Sequence, residues 1–476
     1  MFIRRQRFIG LVQGASAQWL PFANTATKDL PMSRLLRLAL FQVSVGMTAV
    51  LLSGTLNRVM VVELGQPAWW VSLMVAIPLL LAPARALIGF RSDHHKSFLG
   101  WRRVPYLWFG TLMQFGGLAI MPFALIVMTA SHNGPAFVGP VAALLAFVLV
   151  GAGMHTTQTA GLALATDLAN DETRPRVVAL LYVMLLVGMI AASMGFARLL
   201  VDFDYVRLIK VLQGAAVATA VLNFIALWKQ EARQPHLTRH EVPRPSFSSA
   251  WRAFANQGKT RRLLVAVALG TMGFAMQDVL LEPYGAQILG LSVSATTELT
   301  ALFAFGMLLA FLLASRALAR GHDPVRIAGA GALIGAFAFA AVIFSAPIES
   351  PLLFRAGTFF IGLGNGLFAV GTLTVAMVAG SEGMAGMALG AWGAVQTTAT
   401  GIAIFAGGAI RDFFYTLAST GVLGTALESP VAAYSAVYHL EIFILFAALV
   451  ALGPLVRQPG ESTYRPATAQ LADFPG

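Results

Sequence analysis

The sequence predicts an all-α membrane protein of twelve transmembrane helices in two six-helix bundles. Three observations predict it. The 476 residues are 57% hydrophobic and 11% charged, with a mean hydropathy of +0.74, a balance that long membrane-crossing runs produce and a water-soluble core does not. Twelve apolar segments follow one another, near 37–57, 69–90, 104–128, 136–166, 176–200, 206–228, 263–288, 296–318, 325–346, 351–380, 384–410 and 434–456. Each reaches the length of about 20 residues that a bilayer requires. The longest gap between them, 229–262, is polar and basic and divides the segments six and six.

Taken in order, residues 1–34 start with Arg4-Arg5-Gln6-Arg7 and continue into Phe8–Leu20, an apolar stretch interrupted by polar and small residues without a clear cleavage site. They read as a cytoplasmic amphipathic segment on the membrane surface. Residues 35–228 form the first bundle, 229–262 a basic cytoplasmic linker, 263–457 the second bundle and 458–476 a cytoplasmic tail. Lys and Arg set the orientation. With both termini inside, 25 of the 32 basic residues fall in cytoplasmic segments. The net charge of +11 then reads as loops facing anionic lipid rather than nucleic acid. The chain has no cysteine, which excludes disulfides, thiolate metal sites and cysteine nucleophiles. It also has no phosphate-binding Walker loop, zinc-protease HExxH or hydrolase GxSxG motif.

The hairpin between the second and third segments carries a pattern, Gly89-x-x-x-Asp93 followed by Gly100-x-Arg102-Arg103. It resembles the loop between helices two and three of the major facilitator superfamily, with a lengthened spacer. Asp93 is placed to accept from helix-end amides or arginines and, with Arg102 and Arg103, to latch the cytoplasmic side. The competing reading is a plain basic loop. The halves also repeat: Asn57-Arg58-Val-Met-Val-Val-Glu63-Leu-Gly65 lies over Gln277-Asp278-Val-Leu-Leu-Glu282-Pro-Tyr-Gly285 at one offset. Parallel six-helix repeats are the major-facilitator arrangement. Asp278 and Glu282 share a face of the seventh segment, and Arg58 lies at the matching depth of the first. An ion pair of Arg58 with Asp278 or Glu282 is expected to hold the outer side shut, against the alternative that all three are solvated at headgroup level.

In the fourth segment, His155 and Gln158 sit one turn apart, with Asp167 further along. A neutral imidazole can ligate a pigment magnesium or relay protons; it also serves as an ordinary hydrogen bond to a neighbouring helix. His439, beside Glu441 near the outer end of the twelfth segment, has the same alternatives. No direct metal site is expected, only magnesium carried by a pigment at His155.

Several stretches together resemble one branch of the superfamily: Leu35–Gly46 with Gly54–Met60, Arg85–Pro105, Gln277–Gly285 and Leu289–Thr297. They are similar to the PucC/LhaA, or bacteriochlorophyll delivery, family of purple photosynthetic bacteria, and the similarity covers nearly the whole chain. The resemblance implies a non-enzymatic, multi-pass protein of the inner, photosynthetic membrane. Its expected role is the assembly of light-harvesting complexes, with non-covalent bacteriochlorophyll as cofactor. Expected partners are the antenna α and β polypeptides and the reaction centre with its core antenna (LH1), which is favoured over the peripheral antenna (LH2) as client. The alternative is a secondary transporter moving a small solute through a central cavity. A solute carrier needs polar groups on the inner faces of both bundles, and the sequence offers few.

Overall fold

Helices occupy all twelve apolar segments of the computed structural model, which describes residues 30–80, 101–129, 137–170, 173–231, 258–379, 385–422 and 427–456, with residues 135 and 424. They are α1 (Met32–Glu63), α2 (Ala68–Leu80), α3 (Val104–Thr129), α4 (Val138–Leu168), α5 (Arg174–Leu199) and α6 (Tyr205–Leu227) in the first half. The second half has α7 (Gly258–Ala275, continued by Met276–Val279 and Leu281–Gln287), α8 (Val293–Ala319), α9 (Pro324–Ser345), α10 (Pro351–Ala379), α11 (Ala385–Ser419) and α12 (Pro430–Leu452). Eleven of the described helices are long and apolar enough to cross a membrane, and α2 is described only to Leu80. The expected surface segment 1–34 lies outside the described residues up to position 29, as do most of the linker and the tail.

Two helices run further than hydropathy predicts. α1 continues past position 57 to Glu63, and α11 past 410 to Ser419. Each extension carries a charge pair, Arg58–Glu63 and Arg411–Asp412. An ionisable group near the end of a span is tolerated when it is paired, so the helix continues where a hydropathy scan stops.

The halves meet along three helix pairs: α2 packs on α11, α5 on α8, and α1 on α7. Shifting each helix number by six turns the first pair into the second, so the interface carries the internal repeat as a pseudo-twofold. Within the first half, α1 and α5 approach until backbones touch. A Cβ added at Gly188 would press into the backbone of Val43, and one at Gly46 into the carbonyl of Leu185. Lipid gives helices no hydrophobic reason to associate, so such close backbone packing is a main source of their cohesion. In the second half an aromatic cluster fills the space between α7 and α12. Tyr284 lies 5.3 Å from Phe354, 5.4 Å from Tyr434 and 5.5 Å from Tyr438, ring centre to ring centre.

Gly188 and Gly195 share α5, but only Gly188 is enclosed. Gly188→Leu is therefore expected to destabilise the protein in detergent by about 1–3 kcal/mol, the usual cost of overpacking, while Gly195→Leu leaves the thermal midpoint unchanged. Equal midpoints for the two variants would refute the packing assignment.

Candidate functional site

The site is organised by one residue of α7. Pro283 has no N–H, so the carbonyl of Val279, four residues earlier, receives no helical hydrogen bond. The turn just before it, Met276–Val279, is tightened to a 3₁₀ helix, which interrupts the α-helical ladder again. Backbone polar groups inside a bilayer must be satisfied by protein. Two side chains satisfy them from opposite directions. Asn57 Nδ2, from the other half, donates to the Val279 carbonyl at 2.7 Å. Glu441 Oε1 of α12 accepts from the Gln277 backbone N–H at 2.8 Å. Glu441 is fully buried.

Further bonds join the halves at the same level. This is the distal end of the bundle, opposite the proximal end where α1 begins at Met32 and α12 finishes at Leu452. Ser193 Oγ donates to the Thr297 carbonyl, the hydroxyls of Thr55 and Thr297 lie 3.4 Å apart, and Arg58 Nη2 donates to the Leu291 carbonyl at 3.4 Å. The first turn of α2 is capped from across the interface by Asp412, whose Oδ2 accepts from the Trp69 N–H at 2.8 Å. Asp412 is itself held by Arg411 at 2.7 Å. Arg411 donates to Gln287 at 2.8 Å and stacks on Tyr415 and Tyr434, 4.7 and 4.8 Å from their ring centres. These hydrogen bonds between the halves all lie toward the distal end.

The expected ion pair across this interface is not the one formed. Arg58 Nη1 pairs with Glu63 of its own helix at 2.5 Å, and among the described residues no ion pair joins it to Asp278 or Glu282. The reason is local. Residues 59–63 form a π-helical turn, and that wider turn brings residues five apart onto one line. Glu282 instead accepts from Thr300 Oγ1 at 2.8 Å and occupies the space left by the missing side chain of Gly54. Asp278 accepts from the amide of its neighbour Gln277 at 2.5 Å.

At the proximal end, Asp93 lies outside the described residues. Arg102 and Arg103 are anchored within the first half. The Arg103 side chain meets Asp167 of α4 at 3.0 Å and Arg102 meets it at 3.7 Å. The Glu231 carboxylate caps the start of α3, accepting from the backbone N–H groups of Arg102 at 2.7 Å, Arg103 at 3.1 Å and Val104 at 2.9 Å. An anionic cap suits a helix N-terminus because the free N–H groups and the helix dipole both favour negative charge.

Deeper in the first half, the single amides tie helices together. Gln114 Nε2 donates to Thr157 at 2.8 Å and accepts from Thr48 at 3.3 Å. Asn223 Nδ2 donates to Thr111 at 3.0 Å while its carbonyl takes the Ser44 hydroxyl at 2.7 Å. His155 is buried beside this network, 7% exposed, and Gln158 is half-buried. His439 lies nine residues past the start of α12 and is exposed on the face opposite the buried one. No group of three or more metal-ligating side chains occurs among the described residues.

Asn57, Glu441, Asp412 and Glu231 carry the architecture, and sequence reading gave none of them a role. One signal was available: Pro283 inside an apolar segment marks the Val279 carbonyl as needing a donor.

The profile of the family described as PUCC protein matches residues 55–460. The chain is 52% identical over 479 residues to a Rhodobacter capsulatus protein described as an uncharacterized protein in the puhA–bchM intergenic region, covering 99% of this chain and 100% of that one. It is 57% identical over 401 residues to Protein PucC of Rhodovulum sulfidophilum, covering 83% of this chain and 88% of that one. A solved structure of a bacterial homologue of the human lysosomal transporter Spinster, inward-facing and unoccupied, superimposes with a TM-score of 0.66 at 16% identity over 88% of this chain and 95% of that one. At that identity the likeness is one of fold, the major facilitator fold.

Two variants test the geometry. Asn57→Ala leaves the Val279 carbonyl unpaired and is expected to cost about 1–3 kcal/mol. Pro283→Ala restores a helical donor to that carbonyl, so in its background the Asn57→Ala cost should shrink; strictly additive thermal shifts would break the link between the two residues. At the proximal end, Glu231→Ala should lower stability by about 1–2 kcal/mol, the range for losing a helix cap, while Lys229→Ala does not. Thermal unfolding in detergent reads both.

Proposed function

The chain belongs to the PUCC family, and from that premise we propose that it is an assembly factor for a light-harvesting antenna complex. It binds bacteriochlorophyll and hands it to the antenna α and β polypeptides, with the core antenna (LH1) as client in preference to the peripheral one (LH2). It acts by binding and not by catalysis. It spans the bacterial inner, photosynthetic membrane with the proximal end and both termini in the cytoplasm, where its basic loops face anionic headgroups.

The observation that carries this reading is the near-full-length family match. The use of interior polar groups supports it against the solute-transporter alternative. Gln114, Asn223, Asn57 and Thr297 are spent on bonds between helices or halves. A solute pathway needs such groups free to face a cavity.

Deleting the gene from a photosynthetic host tests the reading. Core-antenna absorption is expected to fall at least tenfold while reaction-centre polypeptides stay in the membrane, with full recovery from a plasmid copy. Loss confined to the peripheral antenna would move the client. An unchanged spectrum with impaired uptake of a small solute would favour the transporter.

A further inference from the structure

α12 has two faces of different character. Tyr434, Val437, Tyr438, Glu441, Leu445 and Ala448 are buried against the second half. The opposite face carries His439, then Phe443, Phe446 and Val450, four, seven and eleven residues further along, and all are exposed on the bundle's lipid side. A histidine in that row is out of keeping with its neighbours. It lies nine residues from Pro430, about 13 Å along a helix at 1.5 Å per residue. The helix has 23 residues, enough to span a hydrocarbon layer of about 30 Å, so the imidazole lies well inside its length.

Its protonation pattern is fixed by one bond. His439 Nδ1 lies 2.7 Å from the backbone carbonyl of Ser435. A carbonyl only accepts, so Nδ1 carries the hydrogen and donates. In the neutral ring the lone pair then belongs to Nε2, on an exposed side chain. A backbone carbonyl bound to the other ring nitrogen is the usual outer-shell support of a metal-ligating histidine, because it sets the tautomer and holds the ring. Lipid tails offer Nε2 no donor. Hydrated cations do not enter this depth, but a metal held inside an apolar macrocycle does. Phe443 and Phe446, 70% and 51% exposed, extend from the imidazole as an apolar strip that a flat ring and a hydrocarbon tail can cover.

We propose that His439 Nε2 is the axial ligand of a magnesium tetrapyrrole of the bacteriochlorophyll class, docked from the lipid on the outer face of α12. The proposal rests on the assembly reading above and gives it a place. Magnesium prefers oxygen ligands, but in a water-free layer a neutral, oriented imidazole takes the open axial position. A lateral site lets pigment arrive and leave within the bilayer. His439 is exposed where His155 is buried, which makes it the better placed of the two for a ligand arriving from lipid.

The test uses the purified full-length protein in mild detergent, titrated with bacteriochlorophyll a and separately with bacteriopheophytin a, its magnesium-free counterpart. The Qx band and induced circular dichroism of the pigment are the readouts. The expected result is binding of bacteriochlorophyll a at least tenfold tighter than bacteriopheophytin a, with His439→Leu losing that difference and the induced signal, and His155→Leu keeping both. His439→Leu places an apolar residue on a lipid-facing surface, so its thermal midpoint should match wild type and exclude misfolding. Unchanged affinity and Qx position in His439→Leu would overturn the assignment, as would equal affinity for the two pigments. If wild type binds neither, the site falls, while the assembly reading is judged separately by antenna levels in the deletion strain. If His439→Leu blocks antenna assembly yet binds pigment normally, the face is a polypeptide contact and the pigment site is wrong.

Discussion

The break in α7 is the constraint on which the rest of the site depends. Lipid cannot hydrogen-bond a peptide group, so a helix broken at mid-chain must find partners within the protein. Pro283 and the 3₁₀ turn before it leave a carbonyl and an N–H without their helical partners. Asn57 takes the first from across the molecule and Glu441 takes the second from α12. One local backbone irregularity thereby fixes three elements relative to each other: α1 of one half, and α7 and α12 of the other. Its counterpart in the internal repeat is also irregular, since α1 is π-helical over Val50–Thr55 and Val59–Glu63. Matching sequence positions in the two halves thus both fall where a helix departs from regular geometry.

The molecule joins its halves mainly with side-chain to backbone hydrogen bonds and keeps its ion pairs local. Arg58 pairs five residues along its own helix, Arg411 pairs with its neighbour Asp412, and Arg103 pairs within the first half. A charge buried at an interface without its partner is costly. Asp412 shows both uses, bound to Arg411 on one side and capping α2 of the other half with its second oxygen.

α12 connects this mechanical centre to the membrane. Glu441 faces inward to the break in α7, and His439, two residues earlier, faces outward to lipid. The inner face is bound by aromatic packing around Tyr434 and Tyr438, and the outer face is an apolar strip with one polar atom. On the pigment-delivery reading proposed above, the inner face would serve as a fixed wall and the outer face as the place where a large apolar ligand docks without crossing water. Gln114, Asn223 and Asn57 commit their amide nitrogens to bonds between helices or halves.

The sequence by itself determined the helices, their order, the division into halves and the family, because these depend on properties that add up along the chain: apolar run length, the placement of charge, and repeated local patterns. It misplaced the ends of α1 and α11 where a charge pair neutralises itself inside a helix. Only the tertiary structure decided who partners whom. Arg58, Asp278 and Glu282 are opposite in charge and matched in position, yet the widened turn of α1 delivers Arg58 to Glu63. Similarly, His155 and His439 are both single histidines in apolar segments, and nothing in the adjacent residues tells which is enclosed. Burial depends on which face of a helix its neighbours cover, and that is set by packing between residues hundreds of positions apart.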